Sequence, residues 1–194
     1  SGWVYGLPEL NKTDLTQTKR IANPGCFPTA IQLALLPVIS SQLLKSDIHV
    51  NATTGSTGAG QSLSATSHFS WRMNNLSVYK TFEHQHLAEI GQSISAKMPS
   101  YEHDVFFVPQ RGGFTRGIHA VVYLDTDLSE DAAVELFQCY YESHPFVHVS
   151  TEDIDLKQVV NTNKCLLCVR KLNGKLIITS VIDNLLKGAS GQAV

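Results

Sequence analysis

Cys26 is the residue whose surroundings most plainly invite chemistry: it stands in Asn23-Pro-Gly-Cys-Phe-Pro-Thr-Ala30, directly ahead of an apolar run. A helix beginning there would turn unpaired N–H groups and the positive end of its dipole toward the sulfur, which lowers a thiol pKa and favours the nucleophilic thiolate. Gly25 beside it removes side-chain bulk, so a substrate has room to approach. The same pattern suits a small buried hydrophobe at a helix start, and local chemistry leaves both readings open. A nucleophilic Cys needs a base, and eight His are present. The spacing points to Tyr79-Lys-Thr-Phe-Glu-His-Gln-His-Leu-Ala-Glu-Ile90, where His84 and His86 precede a helical pattern and Glu89 is placed to orient an imidazole. Two solvated surface rings fit that segment as well. His-x-His is also a metal pattern, but no third and fourth ligand follow at zinc spacing, so no metal is expected.

Four further segments carry polar chemistry. Thr54-Gly-Ser-Thr-Gly-Ala-Gly60 follows a strand-like run and offers backbone N–H groups to a phosphate, or is an ordinary flexible loop. Its Gly55-x-x-Gly58-x-Gly60 order is not that of a dinucleotide fingerprint. Arg111-Gly-Gly-Phe-Thr-Arg-Gly117 places two guanidinium groups between strands, where they would grip a carboxylate or phosphate or simply face water. Asp183-Asn-Leu-Leu-Lys-Gly188 sets an amide and a cation at a strand end, an address for ligand groups and equally for a plain turn. Cys165 and Cys168, three apart on a strand, would point to opposite faces, which favours core packing over a redox or zinc pair.

These residues need elements to position them. Ile31, Leu35, Ile39 and Leu43 recur at helical steps through Pro28 to Leu44, with Pro37 expected to kink the helix. The start around Pro8 and Asn11 reads as a loop. Ile48 to Thr53 reads as a strand, Leu87 to Met98 as a helix stopped by Pro99, and 104–109 and 118–124 as strands. Ser129 with Glu130 and Asp131 opens a helix running to Tyr141. Strands at 147–149, 165–171 and 175–181 follow, the last two joined across Asn173-Gly174, a strong hairpin signal. The order predicts an α+β fold with a mixed, largely antiparallel sheet and helices on one face.

Composition narrows the classes. The chain has 194 residues, 43% of them hydrophobic, with 13 Gly and a net charge of −2. That is one ordinary globular domain by the prior of roughly 100–200 residues each, and it excludes disorder and collagen-like fibres. No basic cluster exists to neutralise a nucleic-acid backbone, so no nucleic-acid partner is expected. No apolar stretch approaches the roughly 20 residues that cross a bilayer, so neither is a membrane partner; a cytoplasmic location with reduced thiols is the expectation. The chain opens Ser1-Gly2-Trp3 without Met and stops at Val194 within an apparent helix start, so it reads as a piece of something longer.

Taken jointly, Tyr5-Gly-Leu-Pro-Glu-Leu10, Asn23 to Thr29, the Gly55 to Gly60 loop, His84-Gln-His-Leu-Ala-Glu-Ile90, Thr115-Arg-Gly-Ile118 and Asp183-Asn-Leu-Leu-Lys-Gly188 resemble the N-acetyl-gamma-glutamyl-phosphate reductase family. The motifs stand in register over essentially the whole chain, though Thr54-Gly-Ser-Thr-Gly replaces the more usual Ser-Gly-Thr-Ser-Gly, and Gln85-His-Leu-Ala replaces Arg-His-x-Pro. The resemblance implies a fold like the C-terminal domain of glyceraldehyde-3-phosphate dehydrogenase. It makes residues 1–194 a catalytic and dimerisation domain, with an N-terminal nucleotide-binding domain and a final C-terminal helix lying outside the chain. It implies arginine biosynthesis, an N-acyl-glutamyl phosphate substrate, NADP as cofactor and a homo-oligomer. Cys26 would form a thioester and His84 would be the acid/base. Arg116, Tyr79 and Thr54 would bind substrate, while Gly55, Gly58 and Asn184 would approach the cofactor. Such a piece, without its nucleotide domain, is expected to be inactive. A cofactor-independent Cys/His hydrolase or acyltransferase, or a non-catalytic interaction module, are the competing classes.

Overall fold

Alternating burial along the strands sets the architecture. The computed structural model describes residues 2–194. Two short strands, β1 (Val4–Tyr5) and β2 (Ile21–Ala22), pair in parallel as a separate ribbon. The other strands are β3 (Ile48–Thr54), β4 (Ser77–Val78), β5 (Val105–Arg111), β6 (Ile118–Asp125), β7 (Val147–Ser150), β8 (Cys165–Leu172) and β9 (Lys175–Ile182). They form one seven-stranded sheet in the order β4-β5-β3-β6-β9-β8-β7. The β3–β5 and β7–β8 joins are parallel and the remaining joins antiparallel, so the sheet is mixed and largely antiparallel, as the sequence predicted. The β8–β9 hairpin turns through Asn173 and Gly174, both at positive φ (49° and 77°), the backbone that only such residues adopt readily.

The α-helices of four residues or more are α1 (Pro8–Gln17), α2 (Cys26–Ser40), α3 (Phe69–Arg72), α4 (Leu87–Lys97) and α5 (Glu130–Tyr141). Every residue of α2 from Phe27 to Ile39 is buried, because a helix apolar on all sides belongs in a core. It packs on β6 and β9, and α4 and α5 flank it. Beneath it lie Ile48, Val50 and Ala52 of β3 and Ile118, Ala120, Val122 and Leu124 of β6. The opposite sheet face is only partly buried; there His49 stacks between Phe106 and Tyr123, at 5.2 and 5.0 Å. Ser129 caps α5 by accepting the Ala132 N–H, as its position predicted.

Pro37 lies inside α2, which runs on to Ser40. Proline removes the N–H that the Leu33 carbonyl would have received, and the buried Tyr141 hydroxyl donates to that carbonyl instead, at 2.5 Å. One expectation is corrected: the start around Pro8 and Asn11 is not a loop, since α1 starts on Pro8 and is interrupted at Asn11, where φ is −127°. Its ten residues hold only Leu10 and Leu15 as apolar positions, too few to mark a helical stripe.

Candidate active site

Cys26 is the first residue of α2, with Gly25 as its N-cap. The nucleophile candidate thus sits where unpaired helix N–H groups point outward, and the amides of Phe27 and Cys26 itself favour the thiolate. Burial outweighs them: desolvation is the largest influence, and the thiol is pushed up rather than down. The expected lowering by the helix terminus is real but is the smaller effect.

Cys26, Tyr79, His84, His86 and Arg111 open onto one cleft of about 640 Å³, together with the glycine loop. Gly188 closes the back of it: a Cβ there would come 2.9 Å from the Cys26 Cβ. The neighbouring Lys187 is buried, with its ammonium on Glu9 Oε1 at 2.6 Å, which ties α1 to the segment carrying Gly188. Asn23 donates to the Ala189 carbonyl at 3.0 Å. The first and last motifs of the sequence therefore meet around the thiol.

Of the two histidines, His84 is the more enclosed. Its Nδ1 accepts the His86 N–H at 3.2 Å, and its ring packs edge-on against Phe27, Tyr79 and Phe107. His86 faces the nucleophile's turn, since a Cβ on Gly25 would lie 2.5 Å from its Nε2. That nitrogen is also 3.9 Å from Glu89 Oε1. The other Glu89 oxygen accepts the Gly25 N–H at 3.0 Å and the Tyr5 hydroxyl at 2.9 Å. Tyr5 in turn accepts from Gln32, whose carbonyl takes the Ser93 hydroxyl. Burial lowers both imidazoles to about 4; the His86 ring is the next influence on His84, and Lys80 the next on His86. Both rings are neutral at pH 7 and can accept a proton.

The remaining predicted residues divide. Thr54, Gly58 and Asn184 line the cleft. Asn184 accepts the Gly117 N–H at 2.7 Å and donates to Thr57 Oγ1 at 3.0 Å, bracing the glycine loop. Gly55 lies behind the cleft wall, where a Cβ would meet the Thr115 carbonyl at 2.5 Å. Arg116 does not line the cleft; its Nη1 donates to Asn161 Oδ1 at 2.5 Å and its Nε stands 3.5 Å from the buried Asp183 carboxylate. Arg111 occupies the cleft instead. The Tyr5–Glu89–Gly25 linkage was not read from sequence. Its one visible signal was that Tyr5 opens a segment that also holds Pro8 and Glu9. Cys165 and Cys168 are both buried in or beside the core, with Cys165 3.6 Å from Ser180 Oγ. Among the described residues, no group of three or more His, Cys, Asp or Glu is placed to hold a metal, and no helix is long and apolar enough to cross a membrane.

Comparison with known proteins places this geometry. Residues 26–184 match the family model described as semialdehyde dehydrogenase, dimerisation domain. The chain is 56% identical over 192 residues to an N-acetyl-gamma-glutamyl-phosphate reductase of Flavobacterium johnsoniae, covering 99% of this chain and 59% of that protein. It is 57% identical over 194 residues to the protein of the same name from Azobacteroides pseudotrichonymphae, again covering 59% of it. The chain therefore spans about three fifths of the length of these relatives. Among solved structures, aspartate semialdehyde dehydrogenase II of Vibrio cholerae superposes with a TM-score of 0.72 at 16% identity, over 99% of this chain and 66% of that one. The Francisella tularensis aspartate semialdehyde dehydrogenase does so with a TM-score of 0.72 at 14% identity, over 97% and 68% of the two chains. With its mixed sheet, its cysteine at the head of a buried helix and this likeness along its length, the chain belongs to the semialdehyde dehydrogenase dimerisation-domain family and corresponds to that part of the N-acetyl-gamma-glutamyl-phosphate reductases.

Proposed function

We propose that this cleft is the acyl-transfer centre of an NADPH-dependent reductase that converts N-acyl-gamma-glutamyl phosphate to N-acyl-glutamate semialdehyde and phosphate, a step of arginine biosynthesis. The observation that carries the reading is the shared opening of Cys26, two neutral histidines and a guanidinium onto one cleft. Cys26 Sγ attacks the acyl carbon, the carbon–oxygen bond to phosphate breaks, and a thioester remains. Because burial holds the thiol protonated, its proton must leave as the attack proceeds, and a neutral imidazole is the group to take it.

His86 is assigned that role in place of His84, on the support of its position over Gly25 and its Glu89 partner. Gly58 and Asn184 line the cleft without adding charge or bulk and would hold the nicotinamide end of the cofactor. When bound, NADPH supplies the hydride that takes the thioester to the aldehyde level. The protonated histidine then returns its proton as the carbon–sulfur bond breaks. Two copies would pair through the partly buried sheet face around His49, Phe106 and Tyr123, in keeping with the family's description as a dimerisation domain.

The test is phosphate-dependent oxidation of the semialdehyde with NADP by the full-length protein and its variants. Cys26→Ala abolishes it, and His86→Ala lowers it about 10²- to 10⁴-fold while His84→Gln costs less. A tenth of the activity surviving in Cys26→Ala removes the nucleophile assignment, and a reversed histidine ranking returns the proton to His84.

A further inference from the structure

Arg111 and Thr54 end two neighbouring parallel strands, β5 and β3, and are partners in register. Both face the cleft where those strands finish, and each holds a buried polar atom with no partner: Arg111 Nε and Thr54 Oγ1. Thr54 is 1% exposed, so water does not reach its hydroxyl freely. Buried donors left unpaired are costly, and two of them on register partners that line one cleft mark it as arranged for something that arrives.

The surroundings specify its charge. Among the described residues no carboxylate lines the cleft, whereas Lys80 and Arg111 both do. Lys80 is held by Gln85 Oε1 at 2.9 Å, while the Arg111 guanidinium lies 4.6 Å over the Tyr79 ring, which fixes its plane. Its main chain is clamped as well, because Arg72 donates to the Arg111 carbonyl at 2.6 Å and spends its other nitrogens on Thr66 and Ser77. Arg116 is engaged by Asp183 and Asn161 outside the cleft.

We infer that Arg111, with the Thr54 hydroxyl, forms the subsite that grips an anionic group of the substrate, a paired-oxygen carboxylate or phosphate, beside Cys26. The guanidinium fork matches either group bidentately. Its charge also acts on the sulfur, favouring the thiolate against the burial that opposes it. The inference deepens the proposed reductase reading and rests on it for the identity of the substrate.

Two measurements on the full-length protein test it and separate it from that reading. In the direction of aldehyde oxidation, the carboxylate-bearing aldehyde and inorganic phosphate have separate KM values. Arg111→Gln is expected to raise one of them at least tenfold, with Arg111→Lys recovering part of the loss and both variants melting within a few degrees of the parent. A rise for phosphate assigns the subsite to the leaving group, and a rise for the aldehyde assigns it to the carboxylate. Both values staying within twofold overturns the inference even though turnover persists. The second measurement needs no turnover: inorganic phosphate or N-acetylglutamate is expected to slow iodoacetamide labelling of Cys26 in the parent and not in Arg111→Gln. Protection that depends on Arg111 in a protein without NADP-linked activity sustains the subsite and sinks the reductase reading. Protection by neither anion, or protection unchanged in the variant, removes the subsite.

Discussion

Replacing Tyr141 by Phe removes one oxygen atom and tests how α2 tolerates a proline. The Leu33 carbonyl lies four residues before Pro37, so it lacks its intrahelical donor and depends on the Tyr141 hydroxyl at 2.5 Å. Tyr141 is buried and its phenol is held well above the usual range by desolvation, so it is a permanent donor. Tyr141→Phe leaves ring packing intact and strands a buried carbonyl, a loss of about 1–3 kcal/mol. In a protein of this size that corresponds to a fall in melting temperature of roughly 2–12 °C. Pro37→Ala returns an N–H in helical position, so it rescues the Tyr141→Phe background more than it alters the parent. Urea unfolding followed by circular dichroism reads the cycle, with an expected coupling of about 1 kcal/mol or more. Strict additivity of the two substitutions would show that the hydroxyl is not standing in for the missing donor.

Further outcomes follow from buried charge. Lys187→Met leaves the Glu9 carboxylate buried without its cation and costs about 3–5 kcal/mol, while the Glu9→Leu/Lys187→Met double variant recovers most of that in chemical denaturation. A double variant as unstable as the sum of its singles contradicts the pairing. Stability also depends on acid pH through the histidines. Imidazoles lowered to about 4 in the fold but free to titrate near 6.5 when unfolded bind more protons in the unfolded state between those values. Stability is therefore complete above about pH 6.5 and declines as pH falls toward 4, by up to about 3 kcal/mol for each ring. His84→Gln flattens that decline in melting curves taken across the window; an unchanged slope would remove the assignment.

What the sequence made legible was what local pattern encodes. The apolar run of α2, the Ser129 cap and the Asn173-Gly174 hairpin each combine a periodicity with a stop or start residue; the cap and hairpin were found within a residue, and α2 starts two residues and ends four residues before its expected bounds. The ribbon of β1 with β2 and the edge strand β4 were not legible, because two-residue strands carry no alternation to read. α1 was hidden by its polar composition and its break at Asn11.

The site was legible in its membership and less so in its electrostatics. Cys26, Tyr79, His84, Thr54, Gly58 and Asn184 line one cleft, and each belonged to a segment with a clear turn or strand end. The direction of the Cys26 shift was missed because a helix terminus is a local property whereas desolvation comes from the whole fold. Arg111 and Arg116 look equivalent in a glycine-rich loop, and the sheet register decides between them by placing Arg111 beside Thr54. Glu9 carried no readable signal, because its partner is a lysine 178 positions away.

Everything proposed for the cleft turns on whether the Cys26 sulfur carries the acyl group. Mixing the full-length protein with N-acetyl-gamma-glutamyl phosphate in the absence of NADPH, quenching in acid and mapping peptides by mass spectrometry reads it directly. The expected result is one N-acetylglutamyl adduct, on the peptide containing Cys26, formed with stoichiometric release of phosphate and lost in Cys26→Ala. Phosphate release with no adduct on Cys26, or an adduct on another side chain that persists in Cys26→Ala, would contradict it.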